Sequence, residues 1–272
     1  MRPTYRLTRT WMLCLAALSC APEVASDTST QAGPSATLSQ ATTAAMAALY
    51  DAQLASPACR SPGAACDSTT TLTGRGAVGP ESNAPNTLGG SCPDGDDGIF
   101  HAEASVDALR VSTVDGVSYL AQGRTVKVEA DVWGAPSGGS ALMFFQAADA
   151  NAPQWVHLAT LPTTGGAETL STTFTLPAGG LQAVRAALVD ASQAQNAPCT
   201  PGAVHDHDDL AFQVSAPDTT PPTVVASSPV NGGTYSGMVR FVAEATDNQA
   251  MGRVDFIINT NTSTYLAGTD SQ

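Results

Sequence analysis

The chain has 272 residues and carries 24 acidic against 11 basic side chains, a formal net charge of −13 at pH 7. An acidic surface of this kind repels nucleic acid and anionic lipid, which excludes both as electrostatic partners. Charged residues make up only 13% of the chain, and the abundance of Ala, Thr, Ser, Gly and Pro disfavours a helix bundle and suits short strands joined by turns.

Residues 1–19 have an export layout: Arg2, Arg6 and Arg9, then the apolar run Trp11 to Leu18, then Ser19 before Cys20. The run is too short to span a bilayer, which takes about 20 residues. Ala17-Leu18-Ser19-Cys20 resembles the lipobox of bacterial lipoproteins, with Leu one place later than usual. The resemblance implies a signal peptide over 1–19 and a lipid on Cys20. It places the chain in the cell envelope, as an outer-membrane or cell-surface lipoprotein that meets the membrane only through its anchor. The alternative is release as a secreted protein. The signal holds three of the eleven basic residues and no acidic one, so the remainder carries eight basic groups against 24 acidic ones. Residues 20–45 are small and polar with no apolar period, and read as a flexible tether.

Met46 to Leu54 suits a helix by propensity and a strand by length; the strand reading is preferred. Pro57 to Gly98 is loop-like and contains Cys59, Cys66 and Cys92, and a loop this long calls for a staple or a function. Beyond the signal and Cys20, four cysteines remain, an even set that reads as two disulfides in an exported chain. Cys59–Cys66 would close a short local loop. Cys92–Cys199 would tie the long loop to the segment before the last strand of the domain. Zinc needs closer Cys and His pairing than these spacings give.

Period-two runs then follow at regular spacing: Val106–Thr113, Thr125–Trp133, Ala141–Ala147, Gln154–Leu161, Glu168–Leu176, Leu181–Val189 and Asp209–Val214. Val126, Val128, Ala130 and Val132 share one face. Gly- and Pro-rich turns separate the runs, as in an antiparallel sandwich. The predicted fold is all-β: a disulfide-stapled antiparallel β-sandwich, jelly-roll-like, over 46–215. A linker over 216–222 and a partial immunoglobulin-like sandwich over 223–272 follow. Tyr50-Asp51-Ala52, the four cysteines, Asn83–Thr87, Asp94-Gly95, Phe100-His101, Trp155, Leu181–Arg185 and His205–Leu210 resemble the accessory β-sandwich domains attached to exported bacterial peptidases. That resemblance supports architecture and compartment more than mechanism.

After the proline-rich Ala216–Pro222, several elements resemble the start of a bacterial immunoglobulin-like domain. They are Asp218–Val224, Ser228-Pro229, Gly232-Gly233, Ser236-Gly237 and Ala245–Asn248. A complete module takes about 80–100 residues. The shorter segment is therefore expected to hold three strands, Thr223–Ala226, Met238–Thr246 and Arg253–Asn259, followed by a polar tail. It is also expected to be sensitive to proteases.

Catalytic signatures fail one by one. Gly138–Leu142 lacks the closing Gly of a nucleophile elbow, His101-Ala102-Glu103 lacks the spacing of a zinc helix, and the glycines near Gly95 sit among aspartates that repel phosphate. The chain is read as non-enzymatic, with no required cofactor. Two acidic clusters stand out. Asp94-Gly95-Asp96-Asp97-Gly98 starts like an EF-hand loop but has Ile99 at position 6 and Ser105 at position 12; a turn with solvated carboxylates is the simpler reading. His205-Asp206-His207-Asp208-Asp209 would send His205, His207 and Asp209 one way and Asp206 and Asp208 the other. The Cys92–Cys199 bond would bring both clusters to one edge. A structural Ca²⁺ on Asp206, Asp208 and Asp209, with Glu103 and Asp107 as extra ligands, is one expectation; a His205/His207 transition-metal pair and plain surface polarity are the others. Trp133, Trp155, Phe144 and Phe145 are candidates for a glycan platform.

The functional expectation is a surface module that binds, spaces or assists, with a protein or glycan as ligand. The alternatives are a non-catalytic fragment of a longer secreted hydrolase of the peptidase type, or a carbohydrate-binding module.

Overall fold

The computed structural model describes residues 45–114, 119–247, 253–259 and 263–271. The signal, Cys20 and nearly all of the tether lie outside the described residues. By contacts the chain divides into one compact unit, Thr42–Thr219, and a second that includes Thr220–Gln272. Among the described residues no helix is long and apolar enough to cross a membrane.

The strands of the first unit are β1 (Met46–Ala47), β2 (Leu49–Asp51), β3 (Ser56–Cys59), β4 (Ala65–Asp67), β5 (Ser105–Thr113), β6 (Thr125–Gly134), β7 (Ser140–Ala147), β8 (Val156–Pro162), β9 (Gly166–Thr175), β10 (Leu181–Asp190) and β11 (Asp206–Gln213). They form a five-stranded sheet, β1-β4-β5-β6-β9, and a six-stranded sheet, β2-β3-β11-β10-β7-β8. The sandwich core lies between them. Leu109, Val111, Val126, Val128, Ala130 and Val132 from one sheet pack with Leu142, Phe144, Val184, Leu188, Leu210 and Phe212 from the other. The alternation of β6 is the one its sequence dictates: each second residue is buried. Each such aliphatic or aromatic side chain contributes roughly 1.5–3 kcal/mol of burial.

The six-stranded sheet is covered on its other face as well. Met143, Phe145, Ala187 and Val189 form one buried cluster there, and Leu54, Ala58, Leu88, Ala183 and Ala211 another. Double burial explains the continuous apolar runs of β7 and β10, which do not alternate, and why Leu181–Val189 also reads as a helix. Leu88, from the long segment between β4 and β5, belongs to this cover. Cys92–Cys199 fixes that segment, and Cys59–Cys66 joins β3 to β4, neighbours in chain order that belong to different sheets.

Three expectations are corrected in this unit. Met46–Leu54 is not one strand: β1 pairs with β4 and β2 with β3, so the chain changes sheets at Ala48, which is buried in the core. The sandwich is not wholly antiparallel, since β1–β4 and β3–β11 pair in parallel. The last strand starts at Asp206 rather than Asp209, which draws the acidic motif into the sheet.

In the second unit, β12 (Thr223–Ser228) pairs antiparallel with β13 (Val242–Thr246), and β14 (Arg253–Asn259) with β15 (Thr264–Ser271). The rings of Phe241 and Phe256 lie 5.9 Å apart. The expected polar tail is in fact the strand β15. Thr, Gly and Asp hide it from a search for apolar alternation, and its ladder with β14 creates it. Val225, Tyr265 and Leu266 in these strands are exposed.

Candidate functional site

β11 runs between β3 and β10, and Asp206 to Phe212 are all buried. Its register with β10 sets Leu188 opposite Asp206, Ala186 opposite Asp208 and Arg185 opposite Asp209. Asp206 and Asp208 therefore share the face of Leu188 and Ala186, toward the core between the sheets. Asp209 shares the outer face with Arg185.

On the outer face Asp209 is fully partnered. Arg185 Nε and NH2 donate to the two Asp209 oxygens, both at 2.7 Å, and Leu88 N–H donates to Asp209 Oδ2 at 2.7 Å. The same guanidinium reaches the Pro198 carbonyl at 3.0 Å and Ser91 Oγ at 3.1 Å, and stacks 4.5 Å from the Trp155 ring centroid. His205 Nε2 accepts from Asp190 N–H at 3.1 Å and Nδ1 donates to the Thr200 carbonyl at 2.7 Å, which fixes its tautomer and occupies both nitrogens. His207 Nε2 accepts from Thr200 N–H at 3.3 Å, and burial, with Arg185 and His205 nearby, lowers its pKa to about 3. His207 lies beside Cys92 and Cys199, which are tied up as a disulfide and offer no thiolate. The transition-metal reading of His205 and His207 is thus corrected: His205 is fully engaged with backbone.

The inner face is different. Asp206 Oδ2 accepts from Val106 N–H at 2.6 Å, while Oδ1 has no hydrogen-bond partner; both oxygens of Asp208 lack one. Asp94 approaches from the long loop, where its Oδ1 accepts from His207 N–H at 3.2 Å and its Oδ2 is unpartnered. Glu81 accepts from Gly76 N–H and from the Asn86 amide. One oxygen from each of Glu81, Asp94 and Asp206 lies within 4.8 Å of the others. Arg75, fully buried, is near enough to act on Asp94 and Asp206 but spends its NH1 and NH2 on the Ala104 and Asp97 carbonyls. Burial, then the charge of Glu81, pushes Asp94 up to about 8. Asp206 is driven well above the usual carboxylate range by burial and then by Asp94 and Glu81; Asp208 is driven up by burial and then by Asp206 and Glu81. Burial raises Glu81 also.

The loop reaches β11 because Gly95 allows it. Gly95 N–H donates to the His205 carbonyl at 2.8 Å and Asp97 N–H to the Ala203 carbonyl at 3.0 Å. A Cβ on Gly95 would lie 2.2 Å from the Ala203 oxygen. In the same segment Asp96 and Asp97 are exposed, as a turn reading expects, but Asp94 is not.

Of the five expected cation ligands, the structure brings Asp206 and Asp208 together and sets three apart. Asp209 is held by Arg185. Asp107 accepts from His101 Nε2 at 3.0 Å, Ser105 Oγ at 3.0 Å and Gly74 N–H at 3.2 Å, so it serves the loop. Glu103 packs against Gly98. In the Asp107 group the carboxylate, not the imidazole, is central, and Ser105 donates to Asp107, an order unlike a nucleophilic triad. The glycan platform is corrected too: Phe144 and Phe145 are buried, Trp155 lies under Arg185, and Trp133 stacks on His101 at 4.4 Å. Glu81, Asn86 and Arg75 give no sequence signal as site residues, being single polar residues in a long loop.

The family model described as bacterial Ig domain matches residues 222–272, which takes in β12 to β15. That segment is similar to bacterial immunoglobulin-like domains. No curated protein matches the chain.

Proposed function

We propose that the chain is an exported bacterial surface protein, anchored by lipid on Cys20, whose folded parts act as non-catalytic binding or spacer modules. The observation that carries the reading is the bacterial Ig match over 222–272, since such modules serve as surface or accessory units. The Arg-rich start, the apolar run before Cys20 and the cysteine usage support export. In this reading the 46–215 sandwich is the accessory domain of the kind attached to exported peptidases, and the polar 20–45 segment holds it away from the membrane. The ligand is a protein or glycan at the cell surface.

Cell fractionation of the tagged full chain tests the proposal. The protein should enter the membrane fraction and the detergent phase, with an acylated Cys20 at its N-terminus by mass spectrometry. Cys20→Ala should lose the detergent phase. A mature N-terminus mapped downstream of Cys20 would replace the anchored protein with a secreted one.

A further inference from the structure

We infer that the sandwich holds one buried hard divalent cation, of the Ca²⁺ class, bound by Glu81, Asp94 and Asp206 with Asp208 and Asn86 beside them. The first support is spacing. Oxygens around one Ca²⁺, each about 2.3–2.6 Å from it, lie no more than about 5 Å apart, and one oxygen from each of the three carboxylates lies within 4.8 Å of the others.

The second support is independent of the acidity. Asn86, Asp206 and Asp208 are all 0% exposed, yet Asn86 Oδ1, Asp206 Oδ1 and both Asp208 oxygens have no hydrogen-bond partner. Asn86 is bound to the cluster itself, through its amide donation to Glu81. Buried polar oxygens are almost always satisfied, and unpaired buried carboxylates are costly. On the opposite face of the same strand, Asp209 shows what satisfaction looks like. A cation between the inner carboxylates would supply what they lack.

The third support is the donor set. The open atoms on these carboxylate and amide side chains are oxygens, which suits Ca²⁺ and disfavours softer metals, although Arg75 Nε is open beside them. The irregular protein cage also disfavours Mg²⁺, which holds its waters and demands near-octahedral geometry. The ion would be structural. Glu81, Asn86 and Asp94 come from the long loop and Asp206 and Asp208 from β11, so it would pin the loop to the strand beside the Cys92–Cys199 bond. The inference concerns the sandwich alone and holds whether or not Cys20 carries a lipid.

The test is calcium content and thermal stability of the full chain after stripping with EDTA and after dialysis into millimolar Ca²⁺. One bound Ca²⁺ per chain is expected. The melting temperature should rise by about 5–10 °C at a hundredfold excess over Kd, and by less with Mg²⁺. Asp94→Asn should abolish the bound equivalent and Glu103→Gln should keep it. No bound Ca²⁺ together with equal melting temperatures in chelator and Ca²⁺ overturns the inference, and a full equivalent retained by Asp94→Asn overturns the ligand set. Should Asp94→Asn not fold, the wild-type calcium content and chelator response decide.

Discussion

On the outer face of β11, Asp209 meets two guanidinium nitrogens and a backbone N–H. On the inner face, one residue away, Asp208 meets none, and Asp206 meets one N–H through one oxygen. Both faces are fully buried, so burial does not distinguish them. What differs is the neighbour. β10 sets Arg185 opposite Asp209, while the long loop brings Glu81 and Asp94 to the other face. An ion pair with its remaining valences filled is tolerated in a core; carboxylates facing carboxylates need protons or a cation. Two residues of one type on one strand thus have different electrostatic surroundings, set by the alternation of strand side chains.

The largest effect on this contrast should come from releasing the loop. Cys92→Ser with Cys199→Ser opens a bridge between residues 107 apart in sequence, worth about 4–5 kcal/mol in the chain-entropy model. Urea denaturation should show that loss, with faster proteolysis between residues 68 and 104. The outer face breaks next. Arg185→Met strands Asp209 and should cost about 3–5 kcal/mol, while Arg185→Met with Asp209→Leu should recover most of it. If the double variant is no more stable than the single one, the pair is not an isolated unit. Gly95→Ala forces a methyl against the Ala203 backbone and should cost about 1–3 kcal/mol, read as a lower denaturation midpoint. The smallest effect is the sharpest. Asp208→Asn should change stability by less than about 1 kcal/mol in chelator, where it removes an unpaired acid. In millimolar Ca²⁺, where it removes a negative charge beside the ion, it should destabilise by about 1–2 kcal/mol. Equal effects under both conditions would erase the distinction between the faces.

Much of this arrangement is legible in the sequence. The valines of β6 give the core face directly, because a half-buried strand must alternate. The motif His205–Asp209 gives the split of its side chains onto two faces, and the cysteine order joins the Asp94 loop to that motif. Three things are not legible. The sheet change at Ala48 depends on pairing partners distant in sequence, which no local pattern encodes. β15 is formed by its ladder with β14 and has a polar composition. The choice of Glu81 and Asn86 over Glu103 and Asp107 depends on the path of the loop: Asp107 is drawn aside by His101 and Ser105, and Glu81 by Gly76 and Asn86. Asp209, the most acidic-looking end of its motif, is removed from the set by Arg185, whose position opposite it follows only from the β10–β11 register.

A crystal structure of the chain grown in Ca²⁺, with anomalous data collected, tests the central claim most directly. The account predicts one calcium peak bounded by oxygens of Glu81, Asp94 and Asp206 at about 2.3–2.6 Å, with Asp209 still on Arg185. Density showing these carboxylates sharing protons or waters, with no anomalous peak between them, would contradict it.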